Sequence, residues 1–549
     1  MAAKRILFEV HRWVGIATAL FMAMWFITGL TIVYSGSTNQ TRAQQLAQAE
    51  ALLPHAGWLS LEEAWALSSA QRTSEKRSAR GERGEQDGAA HGQRQHEGGR
   101  EGHDGQSRNR PDSVYEARLV RRAGEPLWLV DDARGQRFAI SALDGKLFEV
   151  TIDRALLIAR NSVHGAQVTY LDTVDTTLSL RNQQTNGPFY RFTLDSEPGT
   201  QLVVSARTGE VLQQTTRIGR GMYVLGNWLH VFRPLDYIGL GEQRHTVIAW
   251  VSFFAVITIM AGLIIGWLRW RPGFFGKPTY SEGRTQPYRA FWFRWHFWAG
   301  LVGGTFTLLW AVSGYLNNNP WDIFSPVNAS RAEITRYQGG ELPAVARAWK
   351  PTALTAESEN AVELGWRRLG DSAVLLAYKD DGQRIPQKVA GTVAQFDEVT
   401  LQAAVQRLFG DMPIANRVLQ QEYDSYYYPS RRQSVIEKPL PVWRVELQDK
   451  AATRLYIDPQ DGRLVLKQDQ SRRVFRWAFS ALHHWDFGWI VQRPLWDVWM
   501  VSWILFGVVL SISSVVLGWK RLRHTFRSKK RQGSKTGQLE QLETETQAA

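Results

Sequence analysis

The sequence contains no cysteine among its 549 residues. Disulfides, iron–sulfur clusters and covalently attached c-type haem all require thiols, so this chain cannot use any of them. A bound metal or haem must therefore be held by histidine, carboxylate, tyrosine or methionine side chains.

Hydrophobic character is also low on average, with a mean hydropathy of −0.29, which normally argues against a membrane protein. The average conceals four uncharged apolar stretches of 22 to 25 residues. Each is long enough to cross a hydrocarbon core about 30 Å thick as a helix. The sequence therefore predicts four transmembrane helices, at residues 13–34, 246–268, 297–321 and 498–519.

Basic residues are concentrated at the N-terminus, in the 269–296 loop and in the 520–549 tail. Because Lys and Arg accumulate on the cytoplasmic side of a membrane, this distribution predicts that both termini are cytoplasmic. The long polar regions 35–245 and 322–497 then lie outside. This topology accounts for most of the net charge of +13, so a nucleic-acid partner is not required.

A removable signal peptide is the alternative interpretation of the first span, because basic residues precede it and small residues follow it at 35–37. The apolar stretch is too long for such a peptide, however, and its motif recurs at an internal span. We therefore expect the first span to be a transmembrane helix.

Residues 71–113 form a polar run that is rich in Arg, Gly, Glu, Gln and His. Such a composition cannot bury enough surface to offset chain entropy, so we expect a disordered insertion in the first polar region. The histidines within this insertion, at positions 91, 96 and 103, are expected to be solvated rather than bound to metal.

The rest of the two polar regions is predicted to fold as at least two small α+β units. Helical patterning covers Leu61–Ser69 and Val399–Phe409. Residues that alternate as in strands are found at Phe189–Asp195, Leu202–Ala206, Val442–Gln448 and Arg454–Asp458. Nothing in these units matches a catalytic triad or a phosphate-binding loop, so their catalytic residues are unknown.

The chain also repeats itself. An offset of 285 residues aligns HRWVG at 11–15 with HFWAG at 296–300, and an offset of 253 aligns Leu229-His230 with Leu482-His483. Each repeat holds two spans, so the halves share one orientation and are related by an axis along the membrane normal. The expected fold is a membrane α+β protein with four transmembrane helices in two parallel two-helix repeats.

Histidines stand at equivalent positions of the two repeats. Ionisable side chains at membrane depth are costly and tend to be retained for function. The symmetry predicts that His11 faces His296 near the cytoplasmic surface, and that His230 faces His483 near the outer surface. Two histidines facing each other across a bundle suit haem, because haem iron binds axial nitrogens on its two opposite faces.

Other assignments remain open at this point. Zinc needs three or four protein ligands, which neither pair visibly supplies, and a proton relay can also use such histidines. His484 adjoins His483, and His245 opens the second span, so either can replace or supplement a ligand of the outer pair. His164 is a weaker candidate, and His524 in the basic tail is expected to be solvated.

Small and aromatic residues follow each span histidine at steps of three and four. This pattern runs from His11 through Gly15 and Thr18, and from His296 through Gly300 and Gly303. Small residues allow the close approach of either a neighbouring helix or a flat ligand.

These motifs resemble the PepSY-associated transmembrane proteins of bacteria, which include haem-containing ferric-siderophore reductases of the inner membrane. The resemblance covers nearly the whole chain except the 71–113 insertion and the tail. The matching segments are the two span openings, the two Leu-His pairs, Tyr426–Tyr428 with Pro441–Val445, and the strand and turn at Leu455–Gly462.

The resemblance implies a four-helix haem-binding core with PepSY-type domains in the periplasm. It implies two b-type haems, with His11, His296, His230 and His483 as the axial iron ligands. In the characterised branch of the family, these haems pass electrons to periplasmic ferric siderophores, and iron is released as Fe(II). The short tail leaves no room for the flavin reductase domain of some relatives, so quinol or a cytosolic reductase is the expected electron donor.

Two other functions remain open. The protein can be a non-enzymatic regulator whose PepSY domains bind a peptide or protein, or a transporter that couples protons through its histidines. The pairing of histidines under the repeat favours the reductase, because a peptide-binding module does not need buried histidines. Side chains at Tyr426–Tyr428, Arg431 and Arg432 can line an acceptor site, although strand packing explains them equally well.

Overall fold

The chain forms two compact units in a computed structural model. The membrane unit comprises Met1–Gly36, Gly221–Ser325 and Ser471–Ala549, and the sheet unit comprises Ser37–Arg220 and Pro326–Gln470. The residues that the structure describes are 2–36, 38–74, 114–132, 135–163, 165–177, 180, 187–195, 199–274, 276–326, 328–351, 358–430 and 433–547, with side chains as far as 527.

Four helices of the membrane unit have the length and apolar composition of membrane spans, which confirms the predicted number. They are Ala2–Tyr34, Arg244–Arg269, Phe291–Asn317 and Leu495–Arg527, the last being the first part of a helix that continues to Gln547. The first helix begins well before residue 13, so His11 lies inside it. The third ends at Asn317 because Asn319 adopts a left-handed conformation and Pro320 cannot continue the hydrogen-bond ladder.

The first and third spanning helices each pack against both the second and the fourth, so they lie diagonally across the bundle. Glycines permit this packing. A Cβ atom at Gly15 would lie 3.3 Å from Thr258 on the second helix, and one at Gly303 would lie 2.7 Å from Phe506 on the fourth. These two glycines of the predicted stripe therefore serve the close approach of neighbouring helices.

A connector precedes the second and the fourth spanning helix. The first connector contains the helix Arg217–Tyr223, the π-helix Val224–Trp228 and the 3₁₀-helix Arg233–Ile238. The second contains the helix Gln470–Phe475, the π-helix Arg476–Ala481 and the helical turn Leu482–His484. A π-helix at the same place in both connectors is notable, because these rare elements concentrate at functional sites.

The described residues of the sheet unit form three antiparallel sheets. The strands β1 to β14 are, in chain order, Val114–Arg122, Glu125–Asp132, Arg137–Ser141, Val168–Val174, Phe189–Leu194, Thr200–Ser205, Val211–Thr215, Glu363–Leu369, Ser372–Tyr378, Arg384–Pro386, Ile414–Gln420, Val442–Leu447, Arg454–Ile457 and Leu464–Gln468. The central sheet has the strand order β10-β9-β8-β1-β2-β3, and the two smaller sheets have the orders β4-β5-β6-β7 and β11-β12-β13-β14. The antiparallel pairing of β1 with β8 joins the two polar regions of the sequence in one sheet.

Each small sheet packs against a helix that covers one face. Ile152–Ser162 contributes Ala155, Ile158 and Ala159 to the core of β4 to β7, and Glu398–Phe409 contributes Leu401, Ala404 and Val405 to that of β11 to β14. The other described helices of this unit are Arg42–Ala47, Leu61–Leu67, Arg331–Gln338 and Ala344–Ala348. The unit is thus α+β, as expected.

The prediction of disorder is wrong for the first residues of the 71–113 segment. Residues 71–74 are helical, and Arg72 is buried, where its guanidinium lies over the Trp65 ring and bonds to Ser68. The histidines at 91, 96 and 103 and the rest of the insertion lie outside the described residues.

Several buried charges of the sheet unit form an ion network. Arg118 on β1 lies 3.2 Å from Glu210 and 3.3 Å from Glu363, and Arg42 lies 2.6 Å from Glu363. Burial alone would raise the pKa of Glu210, but the guanidinium groups of Arg137 and Arg118 lower it to about 2. The positive and negative charges of this network therefore compensate one another inside the sheet unit.

Candidate functional site

His11 and His296 lie in the first and third spanning helices, and we call them the helix pair. Their ring centroids are 6.1 Å apart. His11 Nδ1 is 3.0 Å from the backbone oxygen of Thr258 on the second helix, and His296 Nδ1 is 3.1 Å from Ser513 Oγ on the fourth. All four spanning helices therefore contribute to holding this pair.

His230 and His483 lie in the two connectors, and we call them the connector pair. Their ring centroids are 6.4 Å apart. His230 Nδ1 is 2.8 Å from Thr28 Oγ1 on the first spanning helix, and His483 Nδ1 is 3.0 Å from Ser313 Oγ on the third. The tertiary structure thus brings together both of the pairs that the repeat predicts.

The hydrogen bonds favour one tautomer in all four rings. The hydroxyl groups of Thr28, Ser313 and Ser513 each lie 2.7 to 2.8 Å from a backbone oxygen three or four residues earlier, to which they can donate. A hydroxyl that donates its proton there accepts from the imidazole, as the carbonyl of Thr258 does. This arrangement favours protonation at Nδ1 and leaves a lone pair on Nε2.

Nε2 is the ligating atom that this arrangement presents. Within the described part of the chain, Nε2 of these four histidines makes no hydrogen bond. A metal-binding histidine typically donates its other nitrogen to a carbonyl, carboxylate or water, which orients the ring and raises its basicity. All four rings have such an acceptor.

The spacing within each pair suits one metal ion between two rings. Two imidazole–metal bonds of about 2.0 Å, one on each side of the ion, would separate the ring centroids by roughly 6.2 Å. No group of three or more His, Asp or Glu side chains among the described residues is arranged to hold a metal. Two neighbouring imidazoles without further ligands suit haem iron, which needs two protein nitrogens, better than zinc, which needs three or four protein ligands.

Tryptophans anchor the backbone of the connector pair. Trp25 Nε1 donates to the carbonyl of His230, and Trp310 Nε1 donates to that of His483, both at 3.0 Å. Residues 25 and 310 are equivalent by the offset of 285. Phe232 in the first connector and Trp485 in the second adopt a left-handed conformation, with φ values of 54° and 51°. The chain therefore turns after the histidine segment in both connectors.

Helix geometry separates the two pairs. His11 and Thr28 are 17 residues apart on the first spanning helix, as are His296 and Ser313 on the third. At 1.5 Å per residue this is about 25 Å, which places the pairs towards opposite ends of the bundle. Phe26 and Trp310 meet edge to face between these helices, with ring centroids 5.8 Å apart.

Burial favours the neutral form of both rings of the connector pair. Burial, with the neighbouring His484 as a second cause, lowers the pKa of His230 to about 4. Burial, followed by His484 and His230, also lowers the pKa of His483 well below its ordinary value. The unprotonated ring is the form that binds a metal.

The two alternative ligands occupy different positions. The His484 ring lies 5.4 Å from that of His483 and perpendicular to it, so it adjoins the connector pair. His245 is exposed, and its Nδ1 is 3.4 Å from Asn318 Oδ1. His524 is exposed as well, while His164 lies outside the described residues.

Tyr427 belongs to the core of the sheet unit. It is fully buried, stacks on Tyr456 with centroids 4.9 Å apart, and donates to the carbonyl of Pro439. Packing accounts for this residue. Arg431 and Arg432, two more of the predicted acceptor-site residues, lie outside the described part of the chain.

The oxygen acceptors of the histidines are the functional residues that sequence reasoning missed. One signal was available: Thr28 and Ser313 are equivalent by the offset of 285, and both carry a hydroxyl group. Thr258 and Ser513 gave no such signal, because they are not equivalent to each other under either offset.

Comparison with known proteins gives one family. Residues 8–419, about three quarters of the chain, match the family model described as the PepSY-associated TM region. The match includes both residues of the helix pair and His230. No curated protein matches the chain at a significant level.

Proposed function

This chain belongs to the family of PepSY-associated transmembrane proteins, and we propose that it is a di-haem b electron-transfer protein of the bacterial inner membrane. Its proposed acceptor is a ferric siderophore in the periplasm. One electron reduces each Fe(III) to Fe(II), which siderophores hold less tightly, and the iron is released for uptake. Quinol or a cytosolic reductase is the proposed donor.

The observation that carries this proposal is that four histidines have the same hydrogen bonding at Nδ1 and form two pairs of similar spacing. In each pair, two Nε2 lone pairs belong to rings spaced for one metal ion, and both Nδ1 groups donate to fixed oxygens. A proton relay does not require this tautomer in all four rings. Binding of haem iron through Nε2 of all four rings would require it.

The residues of the proposed sites have different roles. The four histidines would bind the haem iron, and the hydroxyl and carbonyl oxygens would orient the imidazole rings. Trp25 and Trp310 hold the connector backbone. Bound haem would supply a centre that accepts and releases single electrons, and the surrounding protein would tune its potential.

The proposed orientation gives the electron a favourable direction. Basic residues near the helix pair support a cytoplasmic position for this pair, and in this proposal the connector pair is periplasmic. An electron that moves outward leaves the negative side of the membrane, which favours transfer by about 2.3 kcal/mol per 100 mV. In this proposal the two halves are parallel repeats around an axis along the membrane normal.

A visible spectrum of the purified protein tests the haem proposal directly. We expect the protein from haem-replete cells to be coloured, with sharp α and Soret bands after reduction by dithionite. A colourless protein would contradict the proposal and would favour a peptide-binding regulator or a proton-coupled transporter.

Haem stoichiometry tests the assignment of ligands. Wild-type protein is expected to contain two haems per chain. Each of the double variants His11→Ala/His296→Ala and His230→Ala/His483→Ala is expected to contain one. His524→Ala is the matched control, because this histidine is exposed in the tail. Unchanged haem content in both double variants would show that the ligands are elsewhere.

Reduction of a ferric siderophore by the pre-reduced protein, followed with an Fe(II) chelator, tests the acceptor.

A further inference from the structure

The two rings of the helix pair are oriented by acceptors of different kinds. His296 bonds to a side-chain hydroxyl, whereas His11 bonds to the backbone carbonyl of Thr258 in the middle of a helix. That carbonyl already accepts the N–H of Gly262, four residues later, as helix geometry requires. It therefore has only one lone pair left for the imidazole.

A side chain at position 262 would obstruct access to that lone pair. In a helix, residues four apart lie one above the other on the same face, so residue 262 covers the carbonyl of Thr258. A Cβ atom at Gly262 would lie only 2.6 Å from Cε1 of His11 and 3.1 Å from its Nδ1. Carbon atoms do not approach so closely, and the ring would have to move.

We propose that Gly262 is a positioning residue for His11, which leaves the Thr258 carbonyl open to Nδ1 and thereby sets the direction of Nε2. The proposal rests on the proposed function, in which His11 is a haem ligand. The other half of the molecule uses a different solution. The offset of 253 aligns Gly262 with Val515, and in that half the acceptor is the Ser513 hydroxyl rather than a backbone carbonyl.

Gly262→Ala tests the proposal, with Gly266→Ala as the matched control. Gly266 lies one turn further along the same helix, and a Cβ atom there would meet only Leu301, at an ordinary 3.6 Å. We expect Gly262→Ala to lower retention of the helix-pair haem during purification by about 10-fold or more, as other changes that misorient a metal ligand do. The electron paramagnetic resonance signal of the helix-pair haem that remains is expected to shift, and that of the connector-pair haem to stay unchanged. Gly266→Ala is expected to match the wild type.

A double variant separates positioning from general packing. If Gly262 acts through His11, His11→Ala/Gly262→Ala should contain the same haem as His11→Ala alone. Additional loss of the connector-pair haem, or failure of the double variant to accumulate in the membrane, would show a packing role and overturn the proposal. Two haems with wild-type signals in Gly262→Ala would also overturn it. Unchanged haem in His11→Ala would instead overturn the assigned function.

Discussion

The helix pair and the connector pair share one local geometry but are built in opposite ways. In the helix pair, the first and third spanning helices carry the histidines, and the second and fourth supply the oxygens. In the connector pair, the first and third helices supply the oxygens, and the histidines come from the connectors. The same two helices thus carry histidines towards one end and their hydrogen-bond acceptors towards the other.

This difference means that the two sites depend on different parts of the fold. The helix pair depends on how closely the spanning helices pack, and one of its acceptors is a backbone carbonyl that substitution cannot remove. The connector pair depends on two hydroxyl groups and on the tryptophans that hold the connectors. Substitutions should therefore damage one site while the other remains as an internal control.

The largest effect on haem content is expected from substitution of His483, which is adjacent to the alternative ligand His484. His483→Ala should remove the connector-pair haem, because His483 is the residue that faces His230 and bonds to Ser313. His484→Ala should keep two haems. Haem per chain, measured as the pyridine haemochrome, distinguishes the two variants. The reverse result would assign the ligand to His484.

Loss of both hydroxyl acceptors should come next. Thr28→Val/Ser313→Ala leaves both Nδ1 groups of the connector pair without their oxygens, and we expect haem retention there to fall about 10- to 100-fold. Thr31→Val is the control, since this hydroxyl bonds only to the carbonyl of Thr28 in its own helix. Retention is measured by transfer of haem to excess apomyoglobin. Equal transfer rates in all three proteins would contradict the role of the hydroxyls.

The corresponding change in the helix pair should be milder. Ser513→Ala removes one acceptor, but Ser514 Oγ is 3.4 Å from the same Nδ1, and the carbonyl that holds His11 is unaffected. We expect a loss of retention smaller than that of the connector double variant. Ser511→Ala on the same helix is the control, because its hydroxyl bonds only to Val508. A loss as large as in the connector pair would show that the two ends are equally sensitive.

The smallest effect should follow loss of a tryptophan donor. Trp25→Phe or Trp310→Phe keeps most of the aromatic packing and removes one hydrogen bond to a histidine carbonyl, worth about 1 kcal/mol. We expect both haems to remain and the midpoint potential of the connector-pair haem alone to change. A redox titration that resolves the two haems measures this. A shift in the helix-pair haem instead would indicate coupling along the bundle.

The pairing of the histidines was predictable, because residues that are equivalent in an internal repeat occupy equivalent places in the fold. The offset of 285 predicts that His11 and His296 are equivalent, and apolar length predicts the helices that carry them. The α+β character of the polar regions also follows from strand alternation between turn glycines, such as Gly209 and Gly462, with φ values of 65° and 66°.

The acceptors were not predictable, because they join elements that are distant in the sequence. The Thr258 carbonyl meets His11 across 247 residues, and Ser513 meets His296 across 217. A backbone carbonyl has no signature in the sequence at all. The glycine that exposes it resembles any other small residue of a transmembrane helix.

The sequence by itself therefore determined which histidines are equivalent and how many helices cross the membrane, since both follow from repetition and from local apolar length. Only the tertiary structure decided which nitrogen of each ring carries the proton. That choice depends on an oxygen supplied by another helix, and its position results from helix packing rather than from any local pattern.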